Sequence, residues 1–295
     1  MFIDSHAHLD DSKFDIDREE EIKKIKSSGI EKVISAGYSI EGSEKAIDLS
    51  NKYDFIYATV GISPNDIPQT EEELWKDIEK ITKMINSYYE ICKTKNLVKK
   101  IVAIGEIGLD YYWEKDEEKR NLQKIAFKKQ IELANKLNLP IVIHTRDAML
   151  DTINILKENN VNKKGVFHCC PQNIELIKEA IKLGYYISFA GPITFKNSKN
   201  ADEIIKLVPL DRLLIETDSP YLAPEPVRGT RNTPINVKFV AEKVAKVQGI
   251  NIQEIAKITC ENVKRLFRRI MNELLGCSLK FIFFASGNIS KKDEL

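Results

Sequence analysis

The sequence predicts an α/β protein of one domain, folded as a (β/α)8 TIM barrel that is closed or somewhat distorted. Three observations predict it. Short apolar runs rich in β-branched residues alternate with longer stretches of helical period; eight such runs can be read along 295 residues; and several, such as Ile141-Val142-Ile143 and Leu213-Leu214-Ile215, are unbroken. Parallel strands covered on both faces read this way, and eight of them separated by helices fit a barrel. The alternative, an open doubly wound sheet, usually carries a glycine-rich phosphate loop after its first strand. That position here reads Asp4-Ser5-His6-Ala7-His8.

The first strand is read over 2–8, where apolar and polar residues alternate, and a helix over 17–27 follows it. Strands over 32–37 and 56–62 flank a helix over 43–52. The Lys- and Glu-rich stretch 71–100 is read as one extended helix and a turn lying outside the barrel. The fourth strand (101–107) and fifth (140–145) enclose an amphipathic helix over 116–137. After the sixth strand (165–169), the helix over 172–183 turns Ile174, Ile177, Ile181 and Leu183 inward, and Glu175, Lys178 and Lys182 face water. Strands over 186–191 and 212–218 complete the eight, and a last helix is read over 259–269. The barrel is thus expected to span 1–270. The extension 271–295 breaks the pattern with a strand-like run at 279–284 and is assigned no role.

Bulk composition bounds the function. With 43% hydrophobic and 30% charged residues, the chain can bury a sizeable core without disulfides. Its formal charge of +1 argues against coating duplex DNA through many phosphates; a nucleic-acid substrate would be gripped locally, near an end. Five cysteines, odd in number and without a CxxC pair, point to a reducing, cytoplasmic setting. No membrane-spanning stretch and no secretory leader is read, so the final Lys-Asp-Glu-Leu is expected to be coincidental.

The chemistry is carried by six side chains. His6 and His8 stand two apart at the end of the first strand, where a period of two turns both imidazoles the same way. His144 and His168 end the fifth and sixth strands, and Glu106 and Asp218 the fourth and eighth. In a barrel the C-terminal strand ends share one face, so all four histidines of the chain meet there. Any one of them alone is a routine core histidine; the joint pattern with two carboxylates is a metal site. Four imidazoles and two carboxylates exceed one tetrahedral zinc but suit two divalent ions about 3.5–4 Å apart. The expected grouping is His6, His8 and Asp218 on one ion, His144 and His168 on the other, and Glu106 between them.

The segments Ile3-Asp4-Ser5-His6-Ala7-His8-Leu9-Asp10, Ile104-Gly105-Glu106-Ile107-Gly108-Leu109-Asp110-Tyr111, Pro140-Ile141-Val142-Ile143-His144-Thr145-Arg146-Asp147-Ala148, Gly165-Val166-Phe167-His168-Cys169 and Leu214-Ile215-Glu216-Thr217-Asp218-Ser219-Pro220-Tyr221-Leu222 resemble the motifs of the TatD family of metal-dependent DNases, as does Arg231-Asn232-Thr233-Pro234. The resemblance covers about residues 1–270, in the family's order. It implies an amidohydrolase-related barrel, two divalent cations (magnesium, manganese or zinc), and hydrolysis of DNA phosphodiesters, on single strands or ends. It also implies that Asp218, as catalytic residue, orients the attacking water and takes its proton. One position departs: where the family commonly has Gly-x-His-Pro, this chain has Gly61-Ile62-Ser63-Pro64. A hydroxyl can bond a phosphate but lacks an imidazolium's charge, so a weaker phosphate grip or a shifted substrate preference is expected.

Around this set, Ser63, Tyr111, Arg146, Arg231 and Asn232 are candidates for holding substrate. Arg146 could equally pair with Asp147; Arg231 and Asn232 could equally shape their loop; and one of Tyr111, Tyr112 and Trp113 is expected to pack beneath the loop while others stack on an unpaired base. Cys169 and Cys170 are read as packing residues. Two other functions are weighed. One is a metal-dependent ester or amide hydrolase, such as one removing misattached amino acids from tRNA; the other is a non-catalytic binding barrel, which a complete ligand set disfavours. A monomer suffices for all of these.

Overall fold

The computed structural model of the chain describes residues 1–268. Eight parallel strands stand in sequence order: β1 (Phe2–Ala7), β2 (Ile30–Ala36), β3 (Ile56–Val60), β4 (Ile101–Asp110), β5 (Ile141–Arg146), β6 (Gly165–Phe167), β7 (Tyr186–Phe189) and β8 (Leu213–Ile215). Each pairs with the next in parallel register, Val33 with Ile56 and Ile143 with Phe167 among them. The ring closes between β8 and β1 through loop and side-chain bonds: Ser5 Oγ donates to Ile215 O at 3.0 Å, Asp218 N to His6 O at 3.0 Å and His8 N to Ser219 O at 2.7 Å. With register shifts in the β1–β2, β3–β4 and β4–β5 pairs, this is a distorted (β/α)8 TIM barrel.

Nine α-helices accompany the strands among the described residues: α1 (Arg18–Ser27), α2 (Ile40–Lys52), α3 (Glu71–Thr94), α4 (Glu117–Leu137), α5 (Met149–Glu158), α6 (Ile174–Lys182), α7 (Ala201–Leu207), α8 (Val237–Gln248) and α9 (Ile252–Leu266). Several start where a side chain accepts a first-turn N–H: Ser39 from Gly42, Thr70 from Glu73, Asp116 from Lys119, Asn173 from Leu176 and Asn251 from Glu254. Each such cap is worth about 1 kcal/mol. Helix α9 begins at Ile252, not at 259 as expected, because Gly249 ends α8 in the left-handed region (φ 70°) and Asn251 recaps the chain at once. Helix α3 ends at Thr94, ahead of the extended stretch leading to β4. Helices α5 and α7 fill intervals where the alternation expects helices whose bounds the sequence reading does not give, and α8 follows β8; their apolar stripes fill the layer around β5–β8.

Side chains fill the core in two layers. Between strands and helices lie residues such as Val33, Ile104, Phe127, Ile143 and Ile187. Inside the barrel, Ile3, Ile34, Tyr57, Val142, Val166 and Leu214 pack against Val263, Leu266 and Phe267 of the chain at and after α9. The lower barrel is therefore solid, and α9 covers its N-terminal end. Burying each of these side chains contributes about 1.5–3 kcal/mol. Only the opposite face is free to hold chemistry. The strand-like run expected at 279–284 and the rest of the 271–295 extension lie outside the described residues. No helix among the described residues is long and apolar enough to cross a membrane.

Candidate metal centre

Local backbone chemistry sets each ligand candidate at the C-terminal mouth. Asp4 lies under the site and accepts from Thr217 N at 3.0 Å and from Thr217 Oγ1. That contact bends the chain out of β8, earlier than the expected end at 218, and Asp218 follows with φ 55°. The bonds that close the barrel therefore also place Asp218 beside His6 and His8. Across the barrel, Gly108 pairs with His144, and a Cβ at residue 108 would come within 1.9 Å of the His144 carbonyl oxygen. Glycine there, at φ 144°, lets β4 and β5 approach closely enough to bring Glu106 to His144.

All six expected ligands converge. His6 and His8 meet Nε2 to Nε2 at 3.2 Å, and His144 Nδ1 meets His168 Nε2 at 3.2 Å. Glu106 lies between the pairs: Oε2 is 3.4 Å from His6 and 3.8 Å from His8, and Oε1 is 2.8 Å from His144 and 3.2 Å from His168. Asp218 Oδ1 is 3.3 Å from His8 Nε2 and 3.6 Å from His6 Nε2. Three sets bring their ligand atoms within 4.8 Å of one another: His6, His8 and Glu106; His6, His168 and Asp218; and Glu106, His144 and His168. Asp218 thus leans toward His168 as well as toward the first histidine pair.

The electrostatics fit a cation. Burial by itself would raise the carboxyl of Glu106, but His168 and His144 hold it well below its usual range. Burial also works to raise the half-buried Asp218, but His8 holds it below its usual range. Burial pushes His8 down, yet Asp218 and Glu106 outweigh it and bring it to about 9. His144 and His168 are raised in the same way by their carboxylates against the effect of burial. His6 is held below its ordinary value, by burial first and then by His168. Two ionised acids therefore draw positive charge into a buried cluster of nitrogen donors. Asp218 Oδ1 makes no hydrogen bond there. Imidazoles gathered around two carboxylates are a donor set that a divalent cation accepts, and a buried charge requires a partner of this kind.

Two further acids support the histidines and were missed from sequence. Asp110, buried at the end of β4, accepts from His144 Nε2 at 2.9 Å, which turns Nδ1 toward Glu106. Glu216 Oε1 lies 3.5 Å from His168 Nδ1 and accepts from Cys169 N at 2.6 Å. Carboxylates behind metal-binding imidazoles fix tautomer and ring orientation. The signal was present, since both are acids at strand ends beside the motifs already singled out.

The candidate substrate residues divide. Arg146 is exposed, stacks on Tyr112 with its guanidinium 3.8 Å from the ring centre, and lines the mouth. No carboxylate among the described residues, Asp147 included, forms an ion pair with it. Tyr111 is the aromatic that packs beneath the loop: its hydroxyl donates to Asp151 at 2.6 Å and Arg120 covers its ring. Trp113, exposed, takes the place at the cavity expected for Tyr111. Ser63 is buried and donates to Asp66 at 2.5 Å, so its hydroxyl is engaged within its own turn. Arg231 forms a two-pronged pair with Asp17, both distances 2.6 Å, and Asn232 is buried, donating to Thr217 O at 2.9 Å and Tyr221 O at 2.7 Å. Those two hold the β8 loop to its neighbours. Cys170 is buried and Cys169 partly so, and neither belongs to a metal-competent set.

A barrel whose one open face gathers imidazoles around shared carboxylates defines a metal-dependent hydrolase. Comparison with known proteins agrees and is more specific. The sequence pattern of the family described as "TatD related DNase" matches residues 3–268, and the chain belongs to that family. It is 44% identical over 271 residues to the "Uncharacterized metal-dependent hydrolase YabD" of Bacillus subtilis (strain 168), covering 91% of this chain and 99% of the relative. It is 35% identical over 269 residues to the "Uncharacterized metal-dependent hydrolase MJ1582" of Methanocaldococcus jannaschii, covering 91% and 97%. The crystal structure of YJJV, a TatD homologue from Escherichia coli K12, superimposes with a TM-score of 0.80 at 26% identity, over 90% of this chain and 98% of that one.

Proposed function

We propose that the protein hydrolyses phosphodiester bonds of DNA, on single strands or at strand ends, with two divalent cations (magnesium, manganese or zinc) held by His6, His8, Glu106, His144, His168 and Asp218. The observation that carries the reading is Glu106, whose two oxygens address separate histidine pairs. One carboxylate facing two nitrogen pairs would let Glu106 serve both cations, with His6 and His8 on one side and His144 and His168 on the other.

Cations held by these six residues would supply Lewis-acid chemistry, lowering the pKa of a water toward about 7 and offsetting charge on a phosphoryl oxygen. The chain's own residues do the rest. Asp218, ionised and with Oδ1 free of hydrogen bonds, orients the attacking water and accepts its proton. Asp110 and Glu216 hold His144 and His168 in place. Arg146, at the mouth and without an acidic partner among the described residues, meets the phosphate backbone.

A second reading, hydrolysis of an ester or amide such as a misattached aminoacyl-tRNA, is favoured by one feature. The Ser63 hydroxyl is spent on Asp66, which leaves that wall without a cation for phosphate. Purified protein stripped by chelator, assayed for metal content and then followed on end-labelled DNA and on an aminoacyl ester with each metal restored, separates the two. Two equivalents of metal and metal-dependent shortening of DNA are expected. Ester turnover without DNA cleavage would overturn the proposal.

A further inference from the structure

The candidate metal ligands leave part of the mouth open. Next to them, over His144, His168 and Asp218, opens a cavity of about 730 Å³ that extends toward the loops after β6, β7 and β8. Its walls change character away from the ligands: Pro171, Ala190, Pro192, Ile193 and Leu222 line it, and Asp218 is the one carboxylate among the described lining residues. Two exposed aromatic side chains also line it, Trp113 and Tyr221.

Each aromatic stands beside a cation. The Arg146 guanidinium lies 3.8 Å from the Tyr112 ring centre and 5.6 Å from that of Trp113. Lys13 Nζ lies 4.1 Å above the Tyr221 ring. Neither cation has an ion-pair partner among the described residues. An apolar chamber rimmed by unpaired positive charge suits a ligand that is flat and apolar in the middle and anionic at its edges. A nucleotide has that form: the base prefers a dry wall and an aromatic face, and its phosphates prefer the rim.

Resting on the reading of the protein as a DNA hydrolase, we propose that this cavity is a base-binding subsite. It takes one unstacked nucleobase beside the scissile phosphate, between Ile193, Leu222 and the rings of Trp113 and Tyr221. Arg146 and Lys13 hold the flanking phosphates on opposite sides. Ile193, buried in the apolar wall, makes no polar demand on the base and supplies a dry surface for it to pack on.

The test compares single-stranded oligonucleotides that differ only in lacking the base at one nucleotide next to the cleaved bond, with metal-loaded wild-type protein and products resolved to single nucleotides. Loss of the base is expected to lower kcat/KM about 5- to 150-fold at that bond and to leave distant bonds unaffected. Ile193→Trp, which projects an indole into the place proposed for the base, is expected to cleave the two substrates at equal rates, its fold checked by circular dichroism. Equal cleavage of both substrates by the wild type overturns the subsite and leaves the DNA hydrolase reading standing. Absence of any metal-dependent DNA cleavage overturns both.

Discussion

Replacing Asp110 with Asn isolates the contribution of a carboxylate that touches no expected substrate. Asp110 Oδ2 accepts from His144 Nε2 at 2.9 Å and from Asn65 Nδ2 at 3.3 Å, and Oδ1 accepts from Tyr112 N at 3.0 Å and Trp113 N at 3.1 Å. All four partners donate, and the side chain is buried. An amide of the same size has one oxygen and one NH2, so two donors must face a donor whichever way it turns. If the oxygen keeps the backbone of the Tyr112–Trp113 loop, the NH2 faces His144 Nε2. The imidazole proton then moves to Nδ1, the nitrogen 2.8 Å from Glu106 Oε1, and blocks the lone pair a cation needs there. A hydrogen bond to a charged group contributes about 1.5–3 kcal/mol, in line with the roughly 10–100-fold loss of metal affinity usual for such supporting groups. Calorimetric titration of chelator-stripped protein with manganese or zinc measures it. The expected result is one weakened binding step in Asp110→Asn with circular dichroism unchanged. Affinity within about twofold of wild type at both steps would refute the argument.

Other outcomes follow from the same geometry. Asp218→Asn is expected to lower turnover about 10²–10⁴-fold while the melting temperature stays near that of the wild type; retained turnover on any substrate the wild type cleaves removes Asp218 from the chemistry. Ser63→His places an imidazole where the Gly-x-His-Pro resemblance expects one, and on the DNA hydrolase reading it is expected to raise the rate of DNA cleavage, measured under single-turnover conditions. A rate unchanged or lower counts against the reading of Ser63. Gly108→Ala forces a methyl into the His144 carbonyl at φ 144°, so chemical denaturation is expected to show a loss of about 3 kcal/mol or more. Asn232→Ala leaves the carbonyls of Thr217 and Tyr221 without their donor; a loss of about 2 kcal/mol or more is expected, and an unchanged denaturation midpoint would show that the clamp does not matter.

Strand number and order were legible in the residues, because most strands covered on both faces are apolar runs visible one by one, and β1 shows itself by alternation instead. The six candidate ligands were legible for a related reason: an imidazole or carboxylate ending an apolar strand has few roles in a barrel, and the barrel brings all strand ends to one face. Tertiary structure decided what depends on a partner far along the chain. It showed that Tyr111 packs and Trp113 faces the cavity, since the Tyr111 hydroxyl finds Asp151 on α5. It tied Arg231 to Asp17 and Asn232 to the β8 loop, contacts that span 214 and 15 residues of chain and leave no mark in local composition. Above all it placed Asp110 and Glu216 behind His144 and His168. An acid at a strand end looks the same in sequence whether it binds a cation or holds the histidine that does; distance alone separates the two.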